Sequence, residues 1–440
     1  FMKMKLAEIA KAINAQNDIE QWKDVEVTSV SFDSRHLDQG SLFVPLQGAQ
    51  DGHQYVPSAF TNGAVASLWA SDHEITDQTH PLLVVSDPLA ALQQLGKYYL
   101  HKINPIVVAV TGSNGKTTTK YMIASILSTQ FNVTKTYANF NNEIGVPVTL
   151  LNMESNTEAV VVEMGMDRFG QLDFLSKLVN PDIAVITMIG EAHIEFFGTR
   201  DKIADAKMEI THGLKEDGTL VFNGDEPLLE ERVKDLAQRQ MRFGRQLSNN
   251  LYATSVHDEP RQLSFTVNEW PDEEFTIPMV GEYNINNALA AMEVGKILHI
   301  TPAHMKQALA NVELTENRAE WVKGKNGEQI LSDVYNSNPT AAKEVLKTIA
   351  ETPVDGRRIA VLGDMLELGD AAPKLHASLA EEIDHQKIAS VYLVGEQMKN
   401  LKDKLIQEGY PAEDIHHYAA SDLQQLIADL TATLTVDDIV

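Results

Sequence analysis

Short apolar runs alternate with amphipathic stretches along most of the chain. Residues 106–110 read Ile-Val-Val-Ala-Val, entered from Asn104-Pro105. Similar β-rich runs recur at 159–162, 183–187 and 219–222, each too short for a helix. Between them lie segments of helical spacing, of which 116–127 is the clearest. Strands apolar on both faces, separated by helices, predict α/β units with parallel sheets. Residues 262–280 read as a twisted, strand-rich stretch. The strand–helix alternation restarts with 330–334, 358–362 and 391–394. The first hundred residues differ, with a short strand at 42–45 among turn residues and Asp51-Gly52 soon after.

This pattern predicts three units. They are a small N-terminal α/β domain over 1–103, a central P-loop ATPase-like parallel-sheet domain over 104–314, and a doubly wound, Rossmann-like C-terminal domain over 315–440. Residues 437–440 read as the start of another buried strand, so the natural protein is expected to extend further. No internal repeat or low-complexity tract interrupts the pattern.

Composition narrows the functional classes. The 440 residues are 43% hydrophobic and 22% charged, an ordinary globular balance. There is no cysteine, which excludes a disulfide scaffold and thiolate metal sites. No run approaches 18 apolar residues, so no membrane insertion is expected, and the cytoplasm is the expected compartment. The net charge is −26, from 36 basic and 62 acidic side chains. So acidic a surface repels phosphodiester backbones, and no nucleic-acid partner is expected. An anionic small ligand would need local cations or backbone N–H donors.

Such a site stands at Thr111-Gly112-Ser113-Asn114-Gly115-Lys116-Thr117-Thr118. It leaves the 106–110 strand and opens a helix, the context a phosphate-binding loop requires. Its glycines let backbone N–H groups turn toward phosphate oxygens, and the helix N-terminus adds positive potential. Lys116 is placed for the β- and γ-phosphates, and the Thr117 hydroxyl for Mg²⁺. The strict pattern asks for glycine six residues before the lysine, where Val110 stands.

The shortened form Thr-Gly-x-Asn-Gly-Lys-Thr resembles the ATP loop of the Mur ligase superfamily, whose members join a carboxylate to an amine through an acyl phosphate. The resemblance extends over nearly the whole chain. Glu163 closes the run 160–162 and precedes Met164-Gly165. A strand-end glutamate is either a solvated terminus or a ligand-facing carboxylate, and the resemblance implies a Mg²⁺ ligand. It implies a second Mg²⁺ at His193, in Gly190-Glu191-Ala192-His193, and a carbamylated lysine at Lys207, a residue that reads from local pattern as a helical surface lysine. Asn284 and Asn287 belong to a family segment and sit three apart at a helix start, suited either to an adenine edge or, at Asn284, to an N-cap. Arg318 is implied at the γ-phosphate, and Asp333 at the ribose hydroxyls.

Within the superfamily, Tyr335-Asn336-Ser337-Asn338-Pro339 and 363–369 resemble the branch that adds D-alanyl-D-alanine to UDP-N-acetylmuramoyl-tripeptide in peptidoglycan precursor synthesis. The branch that adds the third residue carries Asp-Asn-Pro-Arg, absent here. A folylpolyglutamate synthase is disfavoured by Asp33-Ser34-Arg35, and a P-loop nucleotide switch is the remaining alternative. The implied UDP-substrate contacts include Ser34, Arg35 and Gly48, with Asn141, Asn142, Tyr335 and Asn338 nearer the peptide. A family Lys-Gly/Ala-Ser segment of the dipeptide site would follow Val440. The resemblance thus implies ATP, two Mg²⁺ ions, the two peptide substrates and a monomer. Because the ATP site is divided between two units, the unliganded chain is expected to be open, with Asp333 distant from the phosphate loop.

Overall fold

A computed structural model describes residues 2–314, 320–332 and 338–440. Among the described residues, nine strands form the central sheet. Their spatial order is Phe275–Ile277, Gln262–Val267, Leu251–Glu259, Arg239–Gly244, Thr219–Asn223, Ile183–Ile186, Ile106–Thr111, Ala159–Glu163 and Val133–Lys135. From Arg239–Gly244 to Val133–Lys135 every pairing is parallel; the other end is an antiparallel meander.

The strand Ile106–Thr111 explains why the apolar run is continuous. Val107 and Ala109 enter one hydrophobic core, and Val108 and Val110 enter the core on the opposite face. The helices Lys116–Leu127 and Tyr283–Ile297 cover that second face. The same strand lies between Ile183–Ile186 and Ala159–Glu163, where chain direction of travel across the sheet reverses. Ligand crevices in open α/β sheets form at the carboxyl ends of strands at such a point.

The N-terminal unit carries four parallel strands in the order Ser29–Ser31, Ser41–Phe43, Ala64–Ala70, Leu82–Val85. Its helix Pro88–Ile103 is capped by Asp87, and Gly96 lets it approach Pro147 of the helix Gly145–Leu151. Val30 and Leu42 share one core with Val107 and Val160, so this unit is packed onto the central sheet.

The C-terminal unit departs from expectation at its start. Gln329–Ser332 pairs antiparallel with Glu320–Lys323 as a separate ribbon, rather than joining the parallel sheet. That sheet is Ile359–Gly363, Ser390–Val394 and Ile415–Tyr418. Ile439 links the two, making parallel bridges to Gln329 and Arg358. No helix among the described residues is long and apolar enough to cross a membrane.

Candidate active site

The phosphate loop leaves the sheet with Gly112 at φ 155° and re-enters a helix with Gly115 at φ 78° as its N-cap. Positive φ strains any residue with a Cβ. Gly115 is also crowded: a Cβ there would strike the Asn287 amide. Gly112 would likewise collide with Thr187 beyond the neighbouring strand. Ser113 is 1% exposed and its hydroxyl has no hydrogen-bond partner among the described residues. A buried, unsatisfied donor inside a glycine-framed helix start is what a phosphate oxygen would satisfy.

Glu163 is fully buried at the end of its strand. Thr117 Oγ1 donates to its Oε1 at 2.7 Å and Asn141 Nδ2 to its Oε2 at 2.8 Å. Lys120 Nζ is 3.3 Å from Oε1. Burial works to raise the carboxyl pKa, but the Lys120 and Lys116 charges and these hydrogen bonds outweigh it, so the value is lowered. The group stays an anion in a place where anions are costly unless paired.

His193 sits at φ 64° just past the strand Ile183–Ile186, as N-cap of the turn Ile194–Phe197. Its Nδ1 faces the Glu367 carboxylate. Burial lowers its pKa, opposed by Glu367 and reinforced by Lys207 and Lys116, and the net shift is downward. Lys207, on the helix Arg200–Met208, is only 3% exposed, which overturns the surface reading of its local pattern. Burial, then Lys116, pushes its pKa well below that of a free lysine. Lys116 and Lys207 thus disfavour charge on His193, and Lys116 disfavours charge on Lys207, a repulsion an anionic ligand would relieve.

Lys116, Glu163 and His193 open into one cleft of about 880 Å³, lined further by Asn139, Asn141, Asn142, Asp167, Phe169 and, from the N-terminal unit, Gln93. A P-loop lysine, a strand-end carboxylate and a histidine opening into one cleft fit ATP and Mg²⁺.

Comparisons with known proteins cover most of the chain. The Mur ligase middle domain matches residues 110–295, the Mur ligase glutamate ligase domain 317–440, and the Mur ligase family catalytic domain 26–100. The chain belongs to the Mur ligase family. It is 38% identical over 431 residues to the UDP-N-acetylmuramoyl-tripeptide–D-alanyl-D-alanine ligase of Bacillus subtilis, covering 98% of this chain and 93% of that protein. The Escherichia coli enzyme of the same name is 32% identical over 86% of this chain and 83% of its own. The fold matches a crystal structure of MurF from Acinetobacter baumannii with TM-score 0.88 and 26% identity, over 100% of this chain and 94% of that one. It matches the MurF ligase from Thermotoga maritima in complex with ADP with TM-score 0.80 and 27% identity, over 94% and 93%.

Several expected site residues take other roles in this Mur ligase fold. Asn284 Nδ2 donates to Val280 O at 2.8 Å, Asn287 Nδ2 to Asn284 Oδ1 at 3.0 Å, and Thr119 Oγ1 to Asn287 Oδ1 at 3.2 Å. Both asparagines are buried. Their amides pin the helix Tyr283–Ile297 against the phosphate-loop helix instead of presenting an adenine-reading edge, and Glu282 rather than Asn284 is the N-cap. Asn142 Oδ1 caps the helix Gly145–Leu151 through the Ile144 and Gly145 N–H groups, although the residue still lines the cleft. Thr118 is buried on the phosphate-loop helix. In the N-terminal unit Ser34 is buried, Arg35 is exposed and held by Asp33, and Gly48 is exposed. Arg318, Asp333 and Tyr335 lie outside the described residues.

The central and C-terminal units meet across the crevice in this structure, while Asp333 lies outside the described residues. Asn114 Nδ2 donates to Asn338 Oδ1 at 3.0 Å, the Thr340 hydroxyl meets the Glu191 carboxylate, and Glu195 N donates to Glu367 O at 3.2 Å. Polar pairs at the mouth of the crevice hold the two units together.

Local pattern did not single out Lys120 or Glu367. It also missed the trio Asp51, His53 and His73, whose ligand atoms lie close enough for a metal ion. The group is also bound into a hydrogen-bond network. His53 Nε2 accepts the Ala70 N–H at 3.0 Å, so its proton sits on Nδ1, 2.7 Å from Asp51. His73 has carboxylates at both nitrogens, Asp51 at 2.5 Å and Asp72 at 2.7 Å. These hydrogen bonds already engage every ring nitrogen of the two histidines, and the trio anchors the 46–53 segment.

Proposed function

We infer that this chain is an ATP-dependent ligase that adds D-alanyl-D-alanine to UDP-N-acetylmuramoyl-tripeptide in peptidoglycan synthesis. The observation that carries this is the match, over 98% of the chain, to a relative of that name. The match to MurF structures, one with ADP, supports it.

The reaction needs no side-chain nucleophile. The tripeptide's terminal carboxylate attacks the γ-phosphorus, giving an acyl phosphate and ADP. The dipeptide amine then attacks the acyl carbon, the amide forms as inorganic phosphate leaves, and the amine gives up its proton. Lys116 and the N-terminus of its helix offset charge on the transferring phosphoryl group. Arg318 is our candidate for a second cation there, and Asp333 for the ribose.

We assign Mg²⁺ to Thr117 and Glu163, and a second ion to His193 and Lys207. An ion held by these residues would supply positive charge to offset that of the phosphates. Burial disfavours the ammonium of Lys207 and favours the free amine, the form that adds CO₂ and releases a proton. The resulting carbamate is an anion and would offer oxygen ligands where an ammonium would repel the metal. Ser34, Arg35 and Gly48 are our candidates for the UDP moiety, with Asn141, Asn142, Tyr335 and Asn338 nearer the peptide. We take the units as 1–103, 104–314 and 315–440, and the enzyme as a cytoplasmic monomer.

The test is phosphate release. It should require ATP, UDP-N-acetylmuramoyl-tripeptide and D-alanyl-D-alanine together. Release that persists without the dipeptide, or that is satisfied by a free amino acid in its place, would overturn the assignment.

A further inference from the structure

Lys120 lies one helical turn beyond Lys116, on the same face of the helix Lys116–Leu127. It is a lysine with no exposed surface. Its Nζ donates to Ala138 O at 2.6 Å, stands 3.3 Å from Glu163 Oε1, and lies 4.8 Å from the centre of the Tyr121 ring. An ammonium is costly to bury, and an ordinary helix would not place one here. The acceptor it reaches is unusual too. Ala138 has φ 48°, a left-handed conformation that strains a residue with a Cβ. The charge-assisted bond from Lys120 helps hold the backbone there.

The segment thus held touches both substrates' regions. Thr136 Oγ1 accepts the Glu163 N–H at 2.9 Å, and Asn141 reaches the other Glu163 oxygen. Asn139, Asn141 and Asn142 line the cleft. Phe140 stands edge-on to Tyr137 at 5.7 Å and to Phe32 of the N-terminal unit at 6.5 Å. One ammonium therefore bridges the phosphate-loop helix, the candidate metal carboxylate and the loop that meets the UDP-binding unit.

We propose that Lys120 is a positioning residue that couples Mg²⁺–nucleotide binding at Glu163 to the conformation of loop 137–142, and so to the affinity for the UDP-tripeptide. With no cation at Glu163, the ammonium is shared between the carboxylate and Ala138 O. A divalent cation on Glu163 repels it, by Coulomb's law most strongly where water is excluded. The ammonium then leans on Ala138 O, and the loop is held more firmly in its cleft-lining form. The two ligands thereby favour each other's binding, as linkage requires. The proposal rests on the reading that this cleft takes the UDP-substrate.

The test is a thermodynamic cycle by calorimetry, with Mg·ADP as nucleotide and UDP-N-acetylmuramoyl-tripeptide as partner. In the wild type, Mg·ADP should tighten UDP-tripeptide binding by ~5-fold or more. Lys120→Met keeps the buried volume and removes the charge, and should cut that factor below ~2-fold, while Lys120→Arg should recover part of it. An unchanged factor in Lys120→Met overturns the proposal. Hydrogen exchange on the wild-type chain does not depend on the variant folding. Mg·ADP alone should slow exchange of amides 137–142, and no change there also overturns it. A wild-type chain that binds no UDP-tripeptide, yet shows that protection, fails the functional reading and leaves the coupling of metal to loop standing.

Discussion

Asn114 and Asn338 meet across the crevice between the central and C-terminal units, the Asn114 amide donating to Asn338 Oδ1 at 3.0 Å. The same Oδ1 accepts the Ala341 N–H at 3.1 Å and so caps the helix Pro339–Glu351. One side chain therefore starts a helix and docks it on the phosphate loop. The two jobs are separable by substitution. Asn338→Asp keeps the capping oxygen and loses the amide that returns to Asn114, and should keep the melting temperature while lowering kcat/KM for ATP by ~10-fold, about 1.4 kcal/mol. Asn338→Ala should lose the cap as well, at about 1 kcal/mol of stability. Equal effects of the two changes on ATP and on melting would separate neither role and would contradict the docking argument.

Lys116 is the cation at the mouth of the phosphate-loop helix, facing the cleft with Glu163 and His193. Its charge matters most while the γ-phosphoryl group moves. Lys116→Ala should reduce kcat by ~100-fold or more, as the loss of one electrostatic stabiliser does. Phosphate-release kinetics on a variant with wild-type melting make the measurement. Turnover near wild type would remove Lys116 from phosphoryl transfer.

Lys207 tests the carbamate. Burial and Lys116 depress its pKa, so the folded state binds fewer protons than the unfolded chain up to the ordinary lysine value. Stability should then rise with pH through the window below 10.5, and Lys207→Met should flatten that rise. Lys207→Ala should abolish activity, and acetate or formate should restore part of it by supplying a carboxylate in the vacated space. Intact-mass measurement of active wild-type enzyme at raised bicarbonate should show one added CO₂. An unmodified mass under conditions that retain the label on a control carbamate would refute the assignment.

The phosphate loop was legible because every feature it needs is local: a strand exit, two glycines, a lysine and a helix start within residues 106–127. Glu163 was legible as a strand end. Lys120 was not, because nothing in the helix spacing marks a lysine as buried; the acceptors that bury it come from residues 138 and 163. Asn284 and Asn287 were legible as a pair, but their hydrogen bonds to Val280, to each other and to Thr119 were not, since helix packing supplies those partners. The strand Val133–Lys135 escaped notice as three half-polar edge residues, and Ile415–Tyr418 because two histidines break its apolar run.

Glu293 lies in the core on the helix Tyr283–Ile297 with both carboxylate oxygens unpartnered among the described residues. Burial, partly opposed by Lys296, raises its pKa to about 8. The folded state therefore binds a proton that the unfolded chain, near 4.5, releases first. That contribution is full below about 4.5 and is lost as pH rises to about 8. Glu293→Gln keeps the shape without the ionisation, and should raise the melting temperature at pH 8 by ~4 °C, the shift expected from about 2 kcal/mol in a unit of this size. At pH 5 the two proteins should melt together. Parallel melting curves across pH 5–8 would show that Glu293 does not titrate in the folded core.

His73 titrates the N-terminal unit in the same direction for the opposite reason. Hydrogen bonds to Asp51 and then to Asp72 raise its pKa, and backbone and imidazole donors lower that of Asp51. His53 Nε2 accepts the Ala70 N–H and its Nδ1 faces Asp51. The stabilising charge is thus the His73 imidazolium. It is fully present below about 6.5, the ordinary histidine value, and is lost as pH rises through the raised folded-state value. Asp51 is the N-cap of the turn Gly52–Tyr55, and Gly52 packs so tightly on Leu46 that a Cβ would not fit. Loss of the imidazolium should therefore loosen the 46–53 segment, where Gly48 is a candidate UDP contact. His73→Gln retains a donor to Asp51 without the charge. It should weaken UDP-tripeptide binding at pH 6 and converge with the wild type by pH 9, with the difference shrinking at high salt because the pair is solvent-exposed. Calorimetric titrations at three pH values decide it. A deficit that is constant with pH would assign His73 a packing role against His53, on which its ring stacks at 3.7 Å.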